Sequence, residues 1–167
     1  DLRLEKNIVV SNLLHSNELL LNIFVTDHAT VIFVVSPDRH SIVMIPGKND
    51  EINTMAKRIK IQLSSPGKTD RLTADLNRLS EMILTPLIDE INAAAKLIVL
   101  PDGLLNGIPF TVLSKSSDRY EPLIFDHEVV LSPSITHLRA QRNRRYKAVS
   151  DRLFALADPY YGVRSMP

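Results

Sequence analysis

Leu97-Ile98-Val99-Leu100-Pro101-Asp102-Gly103-Leu104-Leu105-Asn106-Gly107-Ile108-Pro109-Phe110 is the stretch on which the fold turns. Four aliphatic residues without polar alternation run straight into Pro-Asp-Gly, as in a strand that is covered on both faces and ends in a structured loop. Phe125-Asp126-His127-Glu128-Val129-Val130-Leu131-Ser132-Pro133-Ser134 repeats the arrangement, with Val129 to Leu131 as the strand and Ser132 to Ser134 as its turn. Between them, Pro109 to Leu113 reads as a short helical turn, and a helix is expected from about Ile135 to Tyr146. A third strand is expected at Leu153 to Ala157, before Asp158-Pro159. Short buried strands alternating with helical segments predict an α/β architecture.

The preceding half has a different rhythm. Leu19 to Val25, Val31 to Val35 and Ile42 to Ile45 are aliphatic and β-branched runs, separated by Thr26-Asp27-His28-Ala29 and Ser36-Pro37-Asp38-Arg39-His40. Both separators have turn composition, so the three runs predict an antiparallel meander. After Pro46-Gly47, Asn49 or Asp50 caps a helix with Ile52, Met55, Ile59 and Leu63 at helical spacing. Ser64-Ser65-Pro66-Gly67 breaks the chain, and a second helix from Thr69 or Asp70 carries Leu72, Leu76, Leu79 and Ile83 on one stripe. Pro86 should end or kink that helix, while Leu87, Ile88 and Ile91 continue the apolar face. Residues 1–17 are polar and mixed, without a clear period. The expected organisation is a lead-in over 1–17, a β-meander with helices over 18–95, and the first strands of an α/β core over 96–167.

Composition narrows the function classes. Apolar residues are 44% of the 167 and charged residues 23%, which is the balance of a globular chain. The net charge of +1 gives no general attraction to nucleic acid or to an anionic membrane. Arg139, Arg142, Arg144, Arg145, Lys147 and Arg152 form a basic run opposed only by Asp151, read as a solvated helix end rather than a phosphate contact, because no aromatic platform accompanies it. No apolar run nears the about 18 residues of a membrane span, and no secretory leader pattern is present, so the expected compartment is the cytoplasm. With no cysteine, these residues hold no disulfide, thiolate metal site or thiol nucleophile. A start at Asp1 and a stop at Pro167 after Pro159-Tyr160-Tyr161-Gly162 are those expected of a piece of a longer protein.

Pro101-Asp102-Gly103, Pro109-Phe110, Leu113, Pro133-Ser134 and Asp158-Pro159, in that order and spacing, resemble the signature of CHAT domains. These are caspase-like modules related to separases and often found beside TPR repeats. The resemblance implies the N-terminal part of a caspase-like α/β sandwich whose full-length parent is a cysteine endopeptidase of proteins or peptides. In that family a later strand ends in the catalytic His and the next in the nucleophilic Cys, so catalytic residues are expected beyond residue 167 and none within this chain. A TPR region and the C-terminal half of the domain are the implied neighbours. No cofactor, metal or membrane partner is expected, and nucleic acid is not an expected partner either. A different class is the alternative, a non-catalytic interaction or regulatory module that keeps the fold.

Ligands of open α/β sheets bind outside the carboxyl ends of the strands, which makes Asp102, Gly103, Asn106, Ser132 and Ser134 the candidate rim of a substrate cleft. Asp102 either offers a carboxylate to a basic side chain or closes its own Pro-Asp-Gly turn by bonding nearby amides. Ser134 reads as a helix cap and His127 as an edge position satisfied by water, in preference to an acid/base pair with Asp126. None of the five histidines lies at metal-ligand spacing from another or from a carboxylate. No Gly-x-Ser-x-Gly elbow occurs, and Gly67-Lys68-Thr69 lacks the earlier glycine and preceding strand of a phosphate-binding loop.

Overall fold

Glu18–Val25 (β1) carries side chains that must be buried on both faces, since Leu19, Leu20, Leu21 and Ile23 are all at most 3% exposed. Such a strand is stable only at the centre of a covered sheet. That is its place in the computed structural model, which describes residues 10–47, 49–64, 69–116 and 119–143. On one side β1 pairs antiparallel with Ala29–Val35 (β2), which pairs antiparallel with His40–Pro46 (β3). On the other side it pairs parallel with Lys96–Leu100 (β4), which pairs parallel with Glu128–Leu131 (β5). The result is one mixed sheet in the order β3-β2-β1-β4-β5, open rather than closed into a barrel. The meander and the parallel strands, distinct in sequence rhythm, thus share a single sheet. Leu97 to Leu100 are at most 4% exposed, as their unbroken apolar run predicted.

Alternation along the strands sends two different rows of side chains to the two faces. Leu19, Leu21, Ile23, Ile32, Val34, Leu97 and Val99 face Asn49–Leu63 (α1) and Thr69–Ile83 (α2). Ile52, Met55, Ile59, Leu76, Leu79 and Ile83 fill that layer from the helices. Leu63, the last residue of its expected stripe, is 46% exposed, because α1 ends there beyond the edge of the core. The two helices are clamped by a polar contact inside the layer. Asp75, 4% exposed, accepts from Arg58 Nε at 3.1 Å and from Gln62 Nε2 at 2.6 Å, and pairs with Arg58 Nη2.

Pro86 acts as its chemistry requires, since α2 stops at Ile83 and a 3-10 turn, Thr85–Leu87, leads into the short helix Ile88–Ala93 (α3). The β4–β5 connection then packs on the α1 and α2 face through Leu105, Phe110, Leu113 and Leu123, each at most 1% exposed. Its turn Gly103–Gly107 lies against α1 so closely that the Lys60 stem crosses Gly107, leaving no room for a Cβ without moving that side chain. On the other face, the 3-10 turn Val10–Leu13 and the helix Ile135–Asn143 (α4) cover Leu20, Ile98 and Leu100 with Val10, Leu14, Ile135 and Leu138. The expected helical residues up to Tyr146, the strand at Leu153 to Ala157 and Asp158-Pro159 lie outside the described residues. Among those that are described, no helix is long and apolar enough to cross a membrane.

A charged cluster closes the amino ends of the parallel strands. Glu18 is 3% exposed, yet both its carboxylate oxygens accept from Arg142 Nη2 at 2.6 Å and Oε2 accepts from the His15 amide at 2.9 Å. Burial opposes the charge on Glu18, but the hydrogen bonds from Arg142 and the His15 amide, helped by the Arg142 charge, prevail and hold its carboxyl below the ordinary value. Arg142 sits in the last turn of α4, so the pair fastens that helix across the sheet. Arg142 of the basic run therefore has a structural partner.

Candidate functional site

Because β1, β4 and β5 run parallel, their carboxyl ends at Val25, Leu100 and Leu131 open on the same edge of the sheet. The chain leaving β4 packs onto the α1 and α2 face, whereas the chain leaving β5 enters α4 on the opposite face. Connections that part in this way leave a crevice between them, the usual ligand position in an open α/β sheet. A cavity of about 220 Å³ occupies it, lined by Asn22, Ile23 and Phe24 from β1, Leu100, Pro101 and Asp102 after β4, and Pro133, Ser134 and Ile135 before and within α4. A larger cavity of about 490 Å³ lies at the other end of β1, between the Ser36–Arg39 turn and α3. The smaller one is the candidate site, on topology and not on size.

Asp102 has a role that its turn composition did not reveal. Its Oδ2 accepts the Val25 amide at 3.1 Å, a residue 77 positions away, rather than an amide of its own turn. The carboxylate thereby ties the β4 exit loop to the last residue of β1 and satisfies an amide at a strand end. One oxygen is committed to this bond, and the residue also lines the cavity. Gly103 follows with φ of 52°, a left-handed conformation that glycine adopts without steric cost. Asn106 closes the same turn, its Nδ2 donating to the Gly103 carbonyl at 3.2 Å.

The second loop is equally explicit. Ser132 is 2% exposed, its amide donates to the Val99 carbonyl at 2.9 Å and its hydroxyl to the Ser134 carbonyl at 3.1 Å. Ser134 Oγ accepts the His137 amide at 3.0 Å, so it caps α4 as expected. Of the five rim candidates, Asp102 and Ser134 meet at one cavity, while Gly103, Asn106 and Ser132 shape the two loops without lining it.

The cavity also uses residues that the sequence reading passed over. Asn22 and Phe24 come from β1, whose carboxyl end reaches this edge only because β1 pairs with β4. Asn22 carried a signal, as a polar residue inside the apolar run Leu19 to Val25. His127 is the opposite case. It is buried, at 8% exposed, with Nδ1 hydrogen-bonded to the Ala94 carbonyl at 2.8 Å, so protein rather than water holds that nitrogen, while Nε2 is buried without a hydrogen-bond partner among the described residues. It lies before the amino end of β5, away from the cavity, and neighbouring Asp126 pairs with Lys115. Hydrogen bonding from Lys115, helped by its charge, holds the Asp126 carboxyl below its ordinary value. His28 and His40 are exposed. Among the described residues, no group of three or more metal-ligating side chains is assembled.

The family model described as CHAT domain matches residues 73–165, more than half of the chain. The chain belongs to the CHAT domain family. The match takes in both loops that line the crevice, Leu100 to Asp102 and Pro133 to Ile135, and begins within α2. The meander β1–β3 lies outside the matched span, although β1 supplies the third wall of the crevice in this CHAT domain chain. No curated protein matches the chain.

Proposed function

We propose that this CHAT domain chain forms the substrate-cleft wall of a cysteine endopeptidase, with the catalytic His and Cys contributed by sequence beyond Pro167. Family membership supports the reading, and the observation that carries it is the crevice where the Asp102 loop, the Ser134 turn and the end of β1 converge. With no cysteine among these residues, the thiol must come from elsewhere. In such an enzyme the His accepts the thiol proton, the thiolate attacks the peptide carbonyl, and the leaving amine takes that proton as the acyl-enzyme forms; water then releases the acyl group. Asp102 stands at the rim as a carboxylate able to meet a basic side chain of the peptide, while Phe24, Leu100 and Ile135 offer apolar contact. Gly103, Asn106, Ser132 and Ser134 act by fixing the two loops.

Asp102→Asn separates the two roles of Asp102, because an asparagine oxygen still accepts the Val25 amide but carries no charge. In the protein with its downstream sequence, Asp102→Asn is expected to lower kcat/KM at least tenfold for peptides with Lys or Arg at the cleaved bond. Cleavage of neutral peptides should change little. Equal losses on both would remove the substrate role. The absence of cysteine favours a second reading, a CHAT module that binds peptide or protein without cleaving it. Peptide binding by the longer protein with no thiol-dependent hydrolysis would select that reading.

A further inference from the structure

Asn22 interrupts the apolar run of β1, and the fold gives its side chain nothing to bond. Alternation puts it on the same row as Leu20 and Phe24, on the sheet face where α4 lies. Register sets it opposite Phe33 on β2 and Leu100 on β4, so its four neighbours on that face are all apolar. Leu20 and Leu100 are buried, whereas Phe24 and Phe33 are exposed, which places Asn22 where the covered half of the face gives way to the open crevice. Asparagine is a poor strand former, and a carboxamide partly shielded by apolar neighbours loses water that no protein group replaces. Among the described residues, none hydrogen-bonds the Asn22 side chain.

Three polar side chains line the crevice, and two of them already act within the fold. Asp102 Oδ2 accepts the Val25 amide, and Ser134 Oγ accepts the His137 amide. Asn22 is the third. We propose that Asn22, within the cleft-wall role on which this inference rests, holds the backbone of the bound peptide: Oδ1 accepts the N–H, and Nδ2 donates to the C=O, of one extended residue. The N–H and C=O of an extended residue point the same way, as in the doubly bonded pairs of an antiparallel ladder. A planar carboxamide carries the complementary acceptor and donor side by side, whereas a carboxylate only accepts and an ammonium only donates. Every peptide has this pair of groups, so Asn22 fixes where the chain lies and Asp102 reads the side chain it presents. The apolar neighbours exclude water from around the two bonds, which strengthens them.

The test uses the protein expressed with its downstream coding sequence and a fluorogenic peptide with Arg at the cleaved bond. In a series of analogues, one N–H at a time outside the cleaved bond is replaced by an ester oxygen, which removes a donor with little change of shape. The wild type should lose about tenfold in kcat/KM for at least one ester position, because the Asn22 acceptor is then left unmet. Asn22→Leu should cleave the parent peptide about tenfold more slowly, and the penalty at that ester position should shrink to less than about twofold. Its urea midpoint should equal or exceed that of the wild type, since leucine suits the apolar neighbours. The same ester profile in both proteins would overturn the assignment, as would a lowered midpoint with equal losses on every peptide. If the wild type does not turn over the peptide, the peptidase reading alone falls, and the Kd of fluorescein-labelled peptides replaces kcat/KM. The ester-selective loss must then appear in Kd and vanish in Asn22→Leu; no binding, or a profile that Asn22→Leu leaves unchanged, would overturn the assignment as well.

Discussion

Asp102 makes a structural bond to the Val25 amide and has a substrate contact in the proposed function, and the two can be measured apart. The bond from the Val25 amide to Oδ2 is partly buried and has an ionised acceptor, a class worth about 1.5–3 kcal/mol. Asp102→Ala should therefore lower unfolding free energy by about 2 kcal/mol in urea titration, whereas Asp102→Asn should cost less than half of that. Glu18 supplies the pH dependence at the same scale. Its carboxyl is held below the ordinary value of 4.5 in the folded chain, so the folded state binds its proton less readily than the unfolded state does. The stability it contributes is complete above about pH 4.5 and is lost as pH falls through the lower folded value. Glu18→Gln should flatten the acid limb of the stability–pH curve, and an unchanged limb would place that dependence on other groups. Arg142→Ala, which leaves the Glu18 carboxylate with the His15 amide at 2.9 Å and the Lys96 ammonium at 3.8 Å, should cost about 2–4 kcal/mol at neutral pH.

At the level of elements, the sharpest dependence lies in α4, a nine-residue helix fastened by Ser134 at one end and by Arg142 at the other. Ser134→Ala should cost about 1 kcal/mol and Ser134→Asp almost nothing, because aspartate accepts the same His137 amide; thermal unfolding of the pair checks this. The elements themselves were largely legible in the sequence. The three meander strands, their end at Pro46-Gly47, the helix end before Pro86, and the buried strand before Pro101 all follow from local period and turn chemistry. Long-range partnerships were not legible. Nothing local in Pro-Asp-Gly shows that Asp102 reaches an amide 77 residues away, and nothing beside His127 shows the Ala94 carbonyl that meets its Nδ1. Leu63 fits its helical stripe yet is exposed, because a stripe fixes a direction and not where the neighbouring layer ends.

For the whole molecule, the decisive event is the parallel pairing of β1 with β4, which merges an antiparallel meander with an α/β core and brings Asn22 and Phe24 to the Asp102 loop. Core mutations in the layer between sheet and helices should act on the whole unit. Phe110→Ala, at a side chain 1% exposed, should cost about 3–5 kcal/mol and lower the urea midpoint of every probe together. The central claim is that these residues build the cleft wall of a cysteine peptidase and not its catalytic machinery. Its most direct test is hydrolysis of a fluorogenic peptide with Arg at the cleaved bond, by the chain of residues 1–167 and by the protein expressed with its downstream coding sequence. The account predicts no turnover by the first and turnover by the second that iodoacetamide abolishes. Turnover by residues 1–167 alone, or none by the longer protein under conditions where it binds the peptide, would contradict it.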